Sequence, residues 1–69
     1  MPLTMAKVGE EQLIKKIGGK PEVRQFIENL GFVPGGTVTV ISEISENVIV
    51  HMKDSRIAIS REMASKILV

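Results

Sequence analysis

Leu30-Gly31-Phe32-Val33-Pro34-Gly35-Gly36-Thr37-Val38-Thr39-Val40 is the stretch on which the reading of this chain turns. In order, it holds a helix stop, a turn and the opening of a strand. Gly31 stands where a left-handed C-cap belongs. Val33-Pro34-Gly35-Gly36 has the chemistry of a type II turn, with Pro second and Gly third. From Thr37 to Ile44 the residues are largely β-branched, with Val38 and Val40 on one face and Thr37, Thr39 and Ile41 on the other.

Upstream of this stretch, Val23, Phe26, Ile27 and Leu30 fall at i, i+3, i+4 and i+7 and make one apolar helical stripe. Pro21 suits the first helical position and Glu22 the positive end of the helix dipole, whereas Lys20 is a poor cap. Arg24 is placed to reach Glu28 one turn on. A helix of about ten residues is marginal alone, so its stripe must dock on something. Before it, residues 11–17 read as a strand with Leu13 and Ile17 on one face and Ile14 on the other, ended by Gly18-Gly19. Leu3, Thr4 and Met5 read as a short edge segment.

Downstream, Ser45-Glu46-Asn47 is expected as a hairpin loop and residues 48–53 as a strand, with Val48, Val50 and Met52 facing one way. Asp54-Ser55 is expected as a tight turn, and residues 56–60 as a strand with Ile57 and Ile59 inward. Ser60 can cap a single helical turn, and residues 67–69 close the chain as a last strand. Short strands in a chain of 69 residues must curl into a closed sheet or leave edges open. The expectation is one mainly β domain over residues 1–69, a small barrel of about five strands with one short α-helix inserted after the first long strand.

Composition narrows the function. There are no cysteines, which removes disulfides and thiolate metal sites. The net charge is +1 with both signs mixed along the chain, and the aromatics are two Phe without Tyr or Trp. Base-stacking platforms and proline-peptide grooves need exposed aromatic rings, so no nucleic-acid partner is expected. No apolar run approaches the about 20 residues of a membrane span, and the N-terminal residues lack a signal peptide's pattern, so a cytoplasmic protein without membrane insertion is expected. Gly18-Gly19-Lys20-Pro21 lacks the first Gly of a phosphate loop and the Ser or Thr after its Lys. His51 is the only histidine and is expected on an exposed strand face, short of the about three or four ligands of a zinc site. No catalytic, cofactor or metal residue is expected.

Leu30-Gly31-Phe32-Val33-Pro34-Gly35, with Val38 and Val40 after it, resembles the signature of the FeoA family of ferrous iron transport proteins. Ile17-Gly18-Gly19 upstream, and Lys53-Asp54-Ser55-Arg56-Ile57-Ala58-Ile59 and Ala64-Ser65-Lys66-Ile67-Leu68-Val69 downstream, are similar to the same pattern, so the resemblance runs from Leu3 to Val69. It implies an SH3-like fold and a non-catalytic accessory role in bacterial ferrous iron uptake. The implied partner is FeoB, a membrane protein with a cytosolic GTPase region and a ferrous permease. A related domain closes iron-dependent repressors of the diphtheria-toxin type, which leaves a stand-alone interaction domain binding a regulator or peptide as the alternative.

Within that frame, Leu30, Phe32, Val33, Pro34, Ile41 and Ile49 form the expected partner-binding set. Leu30, Val33 and Pro34 would leave an apolar ledge beside the helix, with Phe32 filling the barrel mouth. Ile41 and Ile49 are expected on the outer faces of adjacent strands, either partly covered by the helix or continuing the ledge.

Overall fold

Antiparallel pairing between neighbouring β-branched segments builds most of the structure, a computed structural model that describes all 69 residues. Strands β1 (Glu11–Leu13), β3 (Thr37–Ile44), β4 (Asn47–Met52) and β5 (Ser55–Ser60) form one sheet in the order β1-β3-β4-β5. A second, two-stranded sheet pairs β2 (Lys16–Ile17) with β6 (Ile67–Leu68). Helix α1 (Pro21–Asn29) lies between β2 and β3, and the short α2 (Arg61–Ala64) between β5 and β6.

The core is apolar throughout. Fifteen residues are buried and none is polar or charged. Strand alternation supplies much of it: Val38 and Val40 from β3, Val48, Val50 and Met52 from β4, and Ile59 from β5. Ile57 is only partly buried, at the margin of the same cluster. Ser60 caps α2 as expected, its hydroxyl accepting from the Met63 N–H at 3.1 Å.

Three expectations need correction. Leu3–Met5 is a 3-10 turn and not an edge strand, closed by Met5 and Ala6 amides donating to the Pro2 and Leu3 carbonyls. The first hairpin loop is one residue shorter than expected, with β4 beginning at Asn47, and the second turn sits one residue earlier, with β5 beginning at Ser55. Most consequentially, residues 11–17 are two strands and not one, so the mainly β fold that was expected is present with six strands in two antiparallel sheets.

The break has a clear cause. The chain leaves β3 at Leu13, which pairs with Thr37, and joins β6 at Lys16, which pairs with Leu68. Between them Ile14 is held by the Val33–Gly36 turn, donating to Gly36 O and accepting from Gly35 N, each at 2.8 Å. Crossing between sheets resets the two-residue alternation. Ile14 and Ile17 therefore both point inward, at 1% and 2% exposure, while Leu13 is 53% exposed. This inversion is testable: Ile14→Val should cost about 0.5–1.5 kcal/mol, and the larger truncation Leu13→Ala should stay within about 0.5 kcal/mol of the parent. Urea titration of both variants measures the contrast.

Candidate functional site

Helix α1 begins as the sequence requires. Pro21 occupies its first turn and Lys20 its N-cap, where no side chain caps the free amides. Its end is a Schellman motif. Gly31 adopts φ +111°, its amide donates to Glu28 O at 2.9 Å, and the Phe32 amide donates to Ile27 O at 3.4 Å. The apolar contact that accompanies such motifs joins Ile27 and Phe32, both fully buried. Glycine suits this residue because φ +111° is strained for any L side chain; a Cβ there would meet only the Met52 methyl, at 3.4 Å.

The Val33–Gly36 turn follows directly. Gly35 takes φ +92° and the Gly36 amide donates to Val33 O at 3.0 Å, as a type II turn requires. Tied to Ile14 from the other side, this turn is fixed in place and presents Val33 and Pro34 outward.

The stripe on α1 is wider than the surface available to cover it. The helix packs chiefly along β2, a strand of two residues. Ile27 is buried and Val23 partly so, but Phe26 remains 55% exposed and Leu30 38%. Val33, three residues beyond Leu30, is 43% exposed. Phe26, Leu30 and Val33 thus form an apolar rim along the exposed side of α1 and its exit.

The partner-binding residues named from the sequence divide accordingly. Leu30, Val33 and Pro34 are at the surface. Phe32 is not: at 0% exposure it cannot touch a partner, and it supports the rim from beneath. Ile41 and Ile49 are both half-buried. Ile41 sits at a bulge between the Val40–Val50 and Ser42–Ile49 pairs, so it shares the outer face of the sheet with Ile49. Beside Ile49 on β5 is Ala58, which is exposed. Phe26 and Leu13 were missed by sequence reasoning. Both occupy positions that an amphipathic pattern assigns inward, so no signal in the sequence marked them as exposed.

Charge contributes little to this surface. The one ion pair joins Arg61 Nη2 to Glu43 Oε1 at 2.6 Å, between partly exposed side chains, which limits it to about 1 kcal/mol or less. Arg24 and Glu28 do not pair, contrary to expectation. An exposed pair at that spacing gains only about 0.3–0.5 kcal/mol, too little to hold two long side chains together. No pocket indents the surface, and no three His, Asp or Glu side chains converge as metal ligands. His51 is exposed between Thr39 and Arg56 on the outer face of the sheet. The arrangement offers apolar contact area on a rigid corner.

Comparison with known proteins agrees with this architecture. The FeoA domain profile matches residues 1–69. A protein of Methanocaldococcus jannaschii, named as an Fe(2+) transport protein A, is 40% identical over 68 residues, covering 99% of this chain and 83% of its own. The crystal structure of an iron uptake regulatory protein, FeoA, superposes with a TM-score of 0.87 at 25% identity, covering 97% of this chain and 91% of that one. The solution structure of iron(II) transport protein A from Clostridium thermocellum gives a TM-score of 0.88 at 20% identity, covering 99% of this chain and 43% of that one, a likeness of fold. With its SH3-like fold, a profile matched end to end and a close relative aligned over nearly its whole length, the chain belongs to the FeoA family, accessory proteins of ferrous iron transport.

Proposed function

We propose that this chain is a non-catalytic cytoplasmic module that docks on the cytosolic GTPase region of FeoB and modulates ferrous iron uptake. The 69 residues act as one domain whose working part is the corner where α1 gives way to β3. One observation carries the reading: Phe26, Leu30 and Val33 are 55%, 38% and 43% exposed along one helix and its exit. Fully burying a side chain of this kind contributes about 1.5–3 kcal/mol, so covering three half-exposed ones supplies the apolar centre of a modest interface. Pro34 extends the contact at its margin, and the Ile41–Ile49 pair lies on the outer sheet face as a secondary contact.

The corner is preorganised. The Schellman motif and the type II turn hold it without help from a partner, so binding need not order the backbone at the contact. The test is a titration of the full chain against the soluble GTPase region, unliganded and with guanosine di- and triphosphate. Saturable binding in at least one nucleotide state is expected. Absence of binding in all three, together with unchanged ferrous uptake on deletion, would refute the reading.

A further inference from the structure

Lys20 stands where the fold disfavours it. It is the N-cap of α1, it makes no capping hydrogen bond, and its charge sits beside the positive end of the helix dipole. Its neighbourhood compounds the cost. Arg24 is one turn along α1, its amide donating to Lys20 O at 2.8 Å. Lys15 and Lys16 are held at β6 by the Lys15 amide donating to Leu68 O and by the Lys16–Leu68 pair. Lys66 accepts from the Gly18 amide at 2.7 Å, and its side chain lies over Gly19, where an added Cβ would come within 2.8 Å of Lys66 Cδ.

Five cationic residues therefore lie on the segments that meet where β2, the start of α1 and the start of β6 come together. None of them is in an ion pair. Over the whole of residues 11–29 and 61–69, these five and Arg61 stand against Glu11, Glu22, Glu28 and Glu62, a net charge of +2 within a total of +1. The near-neutral total includes a modest local excess of positive charge at this corner.

We propose that this corner docks on an anionic phospholipid surface, holding the domain against the membrane by charge alone. Four of the five cations are lysines. Lysine is a flexible, hydrated point charge suited to a diffuse anionic layer, whereas stereospecific carboxylate recognition favours the arginine fork. A cluster of this size falls in the range that lipid surfaces attract, at about fivefold in partitioning per cation. The chain's one exposed aromatic ring is Phe26 on α1, short of the several that a nucleic-acid stacking platform would require. The inference stands without the transporter reading, since the surface invoked contains no protein.

Co-sedimentation of the full chain with phosphatidylcholine vesicles, with and without one-third phosphatidylglycerol, tests it. Binding is expected only to the anionic vesicles, at about 0.01 M salt and not at about 1 M, where the Debye length falls from about 30 to about 3 Å. Replacing Lys15, Lys16 and Lys20 together by Gln should reduce partitioning by about a hundredfold, while replacing Lys7, Lys53 and Arg56 by Gln, an equal loss of charge, should leave most of it. Lys20→Asp gives the sharpest separation, because its two effects have opposite signs. It should raise the melting temperature by about 4–8 °C through better capping while lowering vesicle binding about tenfold or more.

No partitioning at low salt, equal losses in the two triple variants, or tighter binding to a generic RNA than to the anionic vesicles would each overturn the proposal. Titrating the Lys15, Lys16 and Lys20 variant against the GTPase region separates the two readings: unchanged affinity there places any loss on the lipid contact alone.

Discussion

Phe32→Ala should lower the unfolding free energy by about 3–5 kcal/mol, the range for truncating a buried phenyl ring. At about 0.05–0.15 kcal/mol per residue, a chain of this length has about 3–10 kcal/mol in total, so much of the population should unfold at physiological temperature. The loss follows from geometry. Phe32 is the largest fully buried side chain. It closes the Schellman motif over Ile27, and it is followed directly by the turn that pins Ile14. Its removal leaves a cavity beneath the corner where α1 leads through the turn into β3. Thermal unfolding followed by circular dichroism measures the effect, with Phe32→Leu as a milder companion. A melting temperature within a few degrees of the parent would show that the ring is not the keystone of this corner.

The second large effect concerns binding and should leave the fold alone. Phe26→Glu combined with Val33→Glu should weaken association with the FeoB GTPase region by about a hundredfold or more, the scale of losing interface hot spots. Both side chains are about half exposed, so each substitution should cost no more than about 0.5 kcal/mol of stability. Ile44→Glu serves as the control. Ile44 is 60% exposed but lies at the far end of β3, beside the turn to β4, and its replacement should leave affinity unchanged. Equal losses in both variants would mean that apolar exposure in general drives the association; no loss in the double variant would move the contact off the α1 rim.

The two kinds of variant separate features that the sequence shows with unequal clarity. Backbone chemistry at α1 and β3 is local and was legible. Pro21, Gly31, Gly35 and Ser60 each occupy the place that their conformational limits allow, and the structure puts each one there. The alternation of Val38 and Val40 with Thr37 and Thr39 was equally legible, because both neighbours of β3 keep the same register along that half of the strand. Residues 11–17 were misread because periodicity assumes one sheet, and this segment serves two. The α1 stripe was read correctly as apolar with Leu30 at the surface, but Phe26 was not expected there.

For the candidate site the division is similar. Leu30, Val33 and Pro34 follow from the order helix, stop, turn, which is written in the chain itself. Phe32 was read as filling the barrel mouth even while counted in the set, and the Schellman geometry that folds it back on Ile27 shows how completely it is buried. Phe26 could have been included only by knowing how narrow β2 is.

By itself, the sequence determined that one short helix ends in a glycine, turns through Pro34-Gly35 and enters an antiparallel meander. Those features depend on steric limits and periodicities that act within a few residues. Which apolar residues stay exposed, and that the segments carrying five lysines and arginines meet at one corner, was decided only by the tertiary structure. Exposure and net local charge are properties of whichever segments happen to pack side by side, and no short window of sequence contains that information.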